Sequence, residues 1–406
     1  MALVVTVIVL IILATVSINA VMGDNGIIKK AQLAKNMHAN SIEAEQDAMD
    51  ELLQEYVNAM AEPPQPYSDN TLVNIPKTTD GMTPVKYNST TGKWEKADTT
   101  EEWYNYDSSK KEWANVVLGD ATFVTENGVE VLDESKPYSQ LVWIPRYAYK
   151  ITTMYHTAST GAGNIDVVFI GTDNKDKNGT EYTRDTAAEY PTATAGETIG
   201  MSDFVVHPAF DYGETKLEGF WVGKFESSHT NCDLASDEDF DVTSGEATYT
   251  GTEVMTVRAN VTSWRYLTTE NAFAACLEMN SNENLYGLSS NDSVVDPHLT
   301  KNTEWGAMAY LTQSIYGKNT EVWNNSNTSY ITGMAGSNVD MASEDSTVTN
   351  AYNIGNGPQA STTGNVYGVY DMSGGAYEYV AAYVNNTNAS TCGANIVSGA
   401  LRNKQI

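Results

Sequence analysis

The chain has 406 residues, of which 52 are acidic and 23 basic, giving a formal net charge of −29. This length exceeds one ordinary hydrophobic core and is enough for two or three domains. The negative charge repels phosphate backbones, so we expect no nucleic-acid partner. Abundant Asn, Thr, Ser, Gly and Tyr with scarce Lys suit an exposed, β-rich surface protein better than a cytosolic enzyme.

Residues 1–22 carry no charged side chain. A helix of roughly twenty apolar residues spans the hydrocarbon core of a membrane, where helical backbone groups bond within their own segment. We therefore predict a membrane-crossing helix here. Gly23, Asp24, Asn25 and Gly26 follow, and two glycines inside a helix cost about 1 kcal/mol each. This short segment is predicted to end the helix or to melt.

Helical spacing of apolar residues resumes and continues to about Met60. We therefore assign residues 1–60 to one long N-terminal helix. Three prolines between residues 62 and 67 then end the helical pattern. Residues 61–80 are predicted to form an extended linker.

The stretch from Ala2 to Ala20, with the Gly-Asp-Asn-Gly and Lys-Lys-Ala sequences behind it, resembles the N-terminal helix of type IV pilin-like proteins of Gram-positive bacteria. In that family a basic leader is cleaved and the apolar helices bundle into a filament core. The resemblance implies a homo-oligomeric helical filament at the cell surface, with the subunit held in the membrane before assembly. The leader is absent here, and Ala2 stands near the position where many pilins have a glutamate. The implied filament-core side chains are Leu3, Val4, Val5, Val7, Ile8, Leu10, Ile11, Ile12, Leu13, Val16 and Ile18.

A short internal repeat follows the linker. Residues 87–94 match residues 106–113, and each copy reads as strand, turn and strand with Tyr and Trp at its ends. We predict a separate β-hairpin module over residues 81–137. Its aromatic residues either form a surface for sugars or partners, or form a small core. The candidates for surface binding are Trp94, Trp103, Tyr104 and Trp113.

Five segments give the clearest signals in the C-terminal part. Apolar runs predict strands, and helical spacing predicts two short helices. Residues 141–149, which Pro145 breaks, and 219–226 are predicted strands, and residues 365–380 read as a strand, a glycine turn and a second strand. The predicted helices are 271–279 and 304–312.

Motifs within these segments resemble the formylglycine-generating-enzyme (sulfatase-modifying factor) superfamily, a variation on the C-type lectin fold. They are residues 220–226, resembling F-x-x-G-K-x-E, 260–264 with the helix to Cys276, 298–305, and 368–379, resembling G-L-Y-D-M-x-G-N-V-W-E-W. The resemblance implies a loop-rich, mixed α/β, C-type-lectin-like domain over residues 138–406, incomplete at its C-terminal end. With the long N-terminal helix, the predicted fold class is α+β.

The chemistry of that superfamily is not expected to carry over. Its oxidases bind copper through a cysteine pair, but only Cys392 follows the last motif, and one thiolate cannot make a two-thiolate site. The five histidines show no ligand spacing, and Gly375 replaces an asparagine that the family uses for calcium. Cys232 and Cys276 could form a disulfide or remain buried thiols. We expect no catalytic residues and no required cofactor.

One loop has oxygen donors at the spacing of an EF-hand-like calcium site. Its glycine at the sixth position turns the chain so that alternate residues can face one ion. The alternative is a polar hairpin tip without a metal. The candidate calcium ligands are Asn174, Asp176, Asn178, Thr180 and Asp185.

These features predict a structural subunit of a pilus-like extracellular filament that displays a non-catalytic, lectin-like body for adhesion or surface display. The alternative is a membrane-anchored, lectin-like protein that binds a glycan or cell-surface ligand and never polymerises. An oxidase of the formylglycine-generating kind is the third reading, and the absent cysteine pair disfavours it.

Overall fold

The computed structural model describes residues 73, 75–153, 164–183, 200–212, 215–230, 254–265, 267–337, 339 and 350–381. The chain divides into two compact units, Met1–Pro66 and Tyr67–Ile406. The predicted N-terminal helix, its filament-core side chains and the Gly23–Gly26 segment all lie outside the described residues. Within the described ranges, no helix has the length and apolar character that a bilayer crossing requires.

Fourteen short strands make up most of the regular secondary structure among the described residues. In chain order they are β1 Thr83–Asn88, β2 Lys93–Lys96, β3 Asn115–Val117, β4 Phe123–Glu126, β5 Val129–Leu132, β6 Gln140–Pro145, β7 Tyr147–Ile151, β8 Ile165–Phe169, β9 Val205–Val206, β10 Asp211–Tyr212, β11 Thr215–Lys216, β12 Gly219–Gly223, β13 Ser228–His229 and β14 Met255–Thr256.

The main sheet has seven antiparallel strands in the order β12-β6-β3-β1-β2-β5-β4. Local turn chemistry fixes its two hairpins. Asn88 Oδ1 accepts hydrogen bonds from the Thr90 and Thr91 amides at 2.9 and 3.2 Å, which sets the β1–β2 turn. Asn127 and Gly128 both have positive φ, 52° and 86°, as a two-residue turn between β4 and β5 requires. Strand β4 is one edge of this sheet.

A second sheet begins where Pro145 and Arg146 interrupt the chain between β6 and β7. Strand β7 pairs with β8 and β9, giving the order β8-β7-β9. Arg146 is fully buried and holds this corner, since its Nη1 donates to Phe210 O at 2.8 Å and its Nη2 lies 2.9 Å from Asp211 Oδ1. The predicted break at Pro145 therefore separates two sheets.

Two short α-helices complete the described architecture: α1 at Thr269–Leu277 and α2 at Asn302–Thr312. Thr268 caps α1 by accepting from the Asn271 amide at 3.2 Å. Glu304 reaches back to the Lys301 amide at 2.8 Å at the start of α2. Helix α2 then buries Ala307, Met308 and Leu311 in the main core, a cluster that also contains strand residues of β3, β6 and β7.

The predicted α+β class is wrong for the described residues, which are mostly antiparallel β. Their two α-helices have only 9 and 11 residues, so no mixed α/β layering is present there. The prediction took its helical content mainly from residues 1–60, which are not described. The body itself consists of short strands separated by Asn- and Gly-rich turns, and such turns end helical hydrogen bonding.

The region predicted as a separate hairpin module shares a sheet and a core with the rest of the body. Strand β3 lies between β1 and β6, so residues 81–137 and the later strands form one continuous sheet. The whole of Tyr67–Ile406 forms one compact unit. The pairing of β3 with β6 therefore removes the boundary expected near residue 138.

Buried hydroxyl groups form hydrogen bonds within this core, and a substitution at Tyr106 can measure how much one of them stabilises it. Its hydroxyl donates to Trp143 O at 2.7 Å and accepts from the Ala114 amide at 3.2 Å. Tyr106→Phe leaves both backbone groups buried without that partner, so we expect the free energy of unfolding to fall by about 1–3 kcal/mol. Denaturant titration of the full chain measures the change.

Tyr377→Phe is the matched control, because Tyr377 is 99% exposed. It should leave the unfolding midpoint unchanged. Equal midpoints for both variants would mean that the Tyr106 hydroxyl contributes nothing to the core.

Candidate functional site

The residues that follow strand β12 enter the middle of the body. Lys224 N donates to Gln140 O at 3.0 Å, and Lys224 O accepts from the Tyr370 amide at 2.8 Å. The chain therefore runs between strand β6 and the segment around residue 370. The chain bends at residues 224–225, and Lys224 and Glu226 each reach a different polar cluster.

Lys224 is fully buried, with its ammonium enclosed by neutral groups. Nζ donates to Asn115 Oδ1, Val366 O and Gly368 O at 3.0, 2.6 and 2.9 Å. The same nitrogen lies 4.9 Å from the Trp94 ring centroid and 5.5 Å from that of Tyr370, within the range of cation–π attraction. Burial lowers the pKa of this ammonium well below its ordinary value.

Asn115, which faces this ammonium, is held rigidly. Its Nδ2 donates to Trp113 O and to Tyr367 O, both at 2.9 Å, which fixes the amide orientation. Its Oδ1 accepts from Gln140 Nε2 at 3.0 Å as well as from Lys224. We call Lys224, Asn115 and Gln140 the lysine cluster. All three residues are fully buried.

A second cluster contains two carboxyl groups, Glu226 and Asp371. Asp371 is buried and accepts from Asn325 Nδ2 at 2.9 Å, from the Gly333 amide at 2.9 Å and from the Glu226 amide at 3.2 Å. Burial raises the pKa of Asp371 to about 6. Burial and the neighbouring Asp371 charge raise the pKa of Glu226 well above its ordinary value. Both carboxyl groups therefore bind protons more readily than they would in water.

Glu226 also supports the loop that contains Gly375. Its Oε1 accepts from the Ala376 amide at 2.9 Å, and its other oxygen accepts from the Ser263 hydroxyl. A Cβ atom at Gly375 would lie 2.4 Å from Glu226 Oε1, and Gly375 has a φ of +72°. The carboxyl group of Glu226 thus fills the space that a side chain at position 375 would need.

Glu378 follows on the same loop, near Trp305 of helix α2. Trp305 Nε1 donates to Glu378 Oε2 at 2.7 Å. Desolvation of its carboxyl group raises the pKa of Glu378 to about 7, although the residue as a whole is exposed. Among the described residues, no group of three or more His, Cys, Asp or Glu side chains could hold a metal ion.

The predicted calcium loop forms a hairpin tip in the structure. Asn174 Oδ1 accepts from Arg146 Nη2 at 2.6 Å, so it faces a cation of the protein. Asp176 Oδ1 accepts from the Asn178 and Thr180 amides at 2.8 and 2.9 Å. Both oxygens therefore serve the protein's own donors. Asp185 lies outside the described residues, and calcium binding stays a prediction.

The aromatic residues predicted as a binding surface are buried instead. Trp94 and Trp113 have no exposed surface, and their indole nitrogens donate to Tyr352 Oη at 3.1 Å and to Tyr316 O at 2.9 Å. Trp103 and Tyr104 are 4% and 0% exposed. The surface reading of the repeat is therefore wrong. These rings pack against residues from the rest of the body, which the repeat alone could not reveal.

The remaining reactive side chains are shielded. Cys276 is a free thiol in the described part of the chain, and burial raises its pKa to about 12. Such a thiol is a poor nucleophile at neutral pH. Burial lowers the pKa of His207 to about 3, because aromatic rings surround it. Cys232 and Cys392 lie outside the described residues.

Sequence reasoning missed the lysine cluster. Its signal was present, since Lys224 is the single basic residue in the otherwise largely apolar stretch 219–226. A lysine within such a stretch either reaches solvent or is buried with partners. Its partners, Asn115 and Gln140, come from distant strands and could not be found from spacing.

Comparison with protein-family models, with curated proteins and with solved structures finds no match to this chain. Its interpretation therefore depends on its own residues and geometry.

The buried carboxyl groups predict how stability depends on pH. The pKa values of Asp371 and Glu378 are raised by folding to about 6 and about 7. At these two groups the folded state holds more protons than the unfolded state between about pH 4 and pH 7, so their contribution to the free energy of unfolding falls as pH rises through this window. This contribution exceeds the opposite one of the single His207, whose pKa is lowered. We expect a higher thermal midpoint at pH 5 than at pH 8.

Glu378→Gln keeps an oxygen for the Trp305 indole but cannot ionise. The variant should lose less stability than the wild-type chain between pH 5 and pH 8. A wild-type midpoint that rises toward pH 8 would contradict the expected protonation of these groups.

The close approach of Gly375 to Glu226 predicts a second stability difference. Gly375→Ala places a methyl group against a carboxyl group that is already bonded to Ala376 and Ser263. We expect it to destabilise the fold by about 1–3 kcal/mol more than Gly128→Ala. Gly128 also has positive φ but has no atom within 4 Å of the added Cβ.

Because both variants strain the backbone similarly, the difference between their free energies of unfolding isolates the contact with Glu226. Denaturant titration of the two variants measures it. Equal destabilisation would show that the Gly375 loop has room for a side chain.

Proposed function

We propose that the chain is a structural subunit of a type IV pilus-like extracellular filament. In this proposal the body is displayed outside the filament for adhesion or surface presentation and performs no catalysis. One observation carries the proposal: residues 1–22 contain no charge, whereas the whole chain has a net charge of −29. The apolar segment resides in the membrane before assembly and then packs against identical segments.

Association between two copies is more favourable through their apolar segments than through their charged bodies. Removing apolar surface from water contributes about 25 cal/mol per Å². Bodies that carry a large negative charge repel one another and stay soluble. Contacts between copies are therefore expected along the apolar segments, with the bodies spaced outside them.

Several features of the body support a non-catalytic role. Lys224 is buried, Glu226 is partly buried, and both are bonded within the protein. Cys276, the thiol in the described residues, has a pKa raised to about 12, which disfavours the reactive thiolate. The proposal requires no cofactor, and calcium at the 174–185 loop would be an addition to it.

The alternative, a membrane-anchored glycan-binding protein that does not polymerise, loses one of its two motivations. That reading depended on the lectin-like resemblance of the body and on the Tyr/Trp repeat as a surface, and the repeat's tryptophans are buried. A filament whose bodies also bind a cell-surface ligand remains compatible with the proposal. The experiment below separates the polymerising from the non-polymerising form.

Detergent removal tests the proposal on the full chain. We expect purified protein to form ordered fibres, visible by negative-stain electron microscopy, as detergent is dialysed away. Ile11→Asp places a charge within the apolar segment and should abolish fibres, because an unpaired charge is costly among apolar side chains. Ile11→Val is the matched control and should form fibres normally.

A chain lacking residues 1–22 should remain monomeric in sizing chromatography without detergent. The proposal is wrong if the wild-type chain stays monomeric in lipid or detergent under all assembly conditions. It is also wrong if Ile11→Asp forms the same fibres as the wild type.

A further inference from the structure

Lys224 poses a problem of charge burial. An ionised amine removed from water is strongly disfavoured unless an opposite charge compensates it. Lys224 has no exposed surface, and no carboxylate in the described residues lies within ion-pair distance of it. Its direct partners are an amide oxygen, two backbone carbonyls and aromatic rings, all of them neutral.

The amide that faces this amine is unusually well prepared for attack. Nζ lies 3.0 Å from Asn115 Oδ1, so the carbonyl carbon Cγ, one C=O bond of about 1.2 Å away from Oδ1, lies at most about 4.2 Å from Nζ, close to the roughly 3–3.5 Å of a near-attack geometry. Two backbone carbonyls fix the amide nitrogen, so the group cannot turn away. Gln140 Nε2 donates to the same Oδ1 at 3.0 Å, where negative charge would develop during an attack on Cγ.

From this geometry we propose that Lys224 and Asn115 become joined by an intramolecular amide bond. Lys224 Nζ attacks Asn115 Cγ, a tetrahedral centre forms, and the bond from Cγ to Nδ2 breaks. The side-chain ammonium and carboxamide are converted into a secondary amide and one free ammonium ion. Atoms and charge balance, because five N–H hydrogens enter, four leave on the ammonium ion and one stays on the new amide.

The reaction removes the uncompensated buried charge of Lys224. The positive charge leaves the interior as a small ion that water solvates, and a neutral amide remains among the rings. The surrounding Trp94, Phe225 and Tyr370 rings exclude the water that could hydrolyse the bond.

Two further features favour the neutral amine that must attack. Burial lowers the pKa of the Lys224 ammonium, which increases the fraction of free amine. Glu134 is the carboxyl group whose charge acts on Lys224, and burial raises its own pKa. Tyr352 orients Glu134 by donating a hydrogen bond from its hydroxyl. After the attack, the proton on Nζ passes to Nδ2 within the tetrahedral centre, where both nitrogens are bonded to Cγ. The ammonia that leaves then takes up in water the proton that the Lys224 ammonium released first, which gives the free ammonium ion.

The bond would have a mechanical consequence. Asn115 begins strand β3, and Lys224 directly follows strand β12, two strands away across β6. The two residues are 109 positions apart in the chain. Their linkage would close this long segment into a loop that cannot be pulled open by breaking hydrogen bonds alone.

Mass spectrometry of the wild-type full chain decides the matter. We expect its intact mass to be lower than the sequence mass by one ammonia molecule. After denaturation and tryptic digestion, fragment spectra should show the peptide containing Asn115 linked to the peptide containing Lys224. Trypsin should not cleave after Lys224, because its amine is acylated. A digest in which both peptides occur unlinked, with cleavage after Lys224, would overturn the proposal.

Three variants control this measurement. Asn115→Ala and Lys224→Arg should each regain the full sequence mass. Asn178→Ser should keep the deficit, since it removes only the Asn178–Gly179 pair, where ring closure to a succinimide also releases ammonia. If the first two variants fail to fold, the wild-type peptide map still decides. None of these readouts requires a filament, so the linkage and the proposed function can fail independently.

Discussion

The buried Lys224 amine is the contact on which the arrangement of the body depends. Its three acceptors come from strand β3 and from the segment around residues 366–368, and its own backbone bonds to strand β6 and to Tyr370. One residue therefore connects the main sheet to the loop segment at residues 366–370. The neighbouring rings of Trp94 and Tyr370 exclude water from the Lys224 amine, and the low local dielectric strengthens each of its hydrogen bonds.

The carboxyl cluster two residues further along connects a different set of loops. Glu226 bonds through its backbone amide to Asp371 and through its side chain to the Ala376 amide and Ser263. Asp371 in turn receives the Gly333 amide and the Asn325 side chain. These loops are thus held by two carboxyl groups that accept hydrogen bonds and whose pKa values are raised. This role explains why acidic side chains can be buried without a basic partner.

Part of this fold could be predicted from local sequence. The strand at 219–226, the break at Pro145 and the two short helices all depend on neighbouring residues, and each occurs close to its expected position. The α+β class was wrong for the described residues because pairing between distant strands dominates them. The position of β3 between β1 and β6 is such a pairing, and no spacing rule reveals it.

The candidate site was even harder to predict from the sequence, because its residues meet only through tertiary contacts. Tryptophan and tyrosine occur both on binding surfaces and in cores, so the repeat could not show that Trp94 and Trp113 are buried. The oxygen spacing at 174–180 was real, but Arg146 and the loop's own amides use those oxygens. Lys224 was visible in the sequence, whereas Asn115 lies 109 positions away and becomes its partner only through the sheet.

The outer edge of the main sheet has a consequence for crowding. Strand β4 is four residues long, and Glu126 at its end is held by Lys93 at 2.6 Å, while Lys96 holds Glu130 on the next strand at 2.9 Å. Short edge strands flanked by charged side chains resist edge-to-edge β-pairing between molecules. Bodies carrying this edge could be brought to very high local density and still remain separate particles.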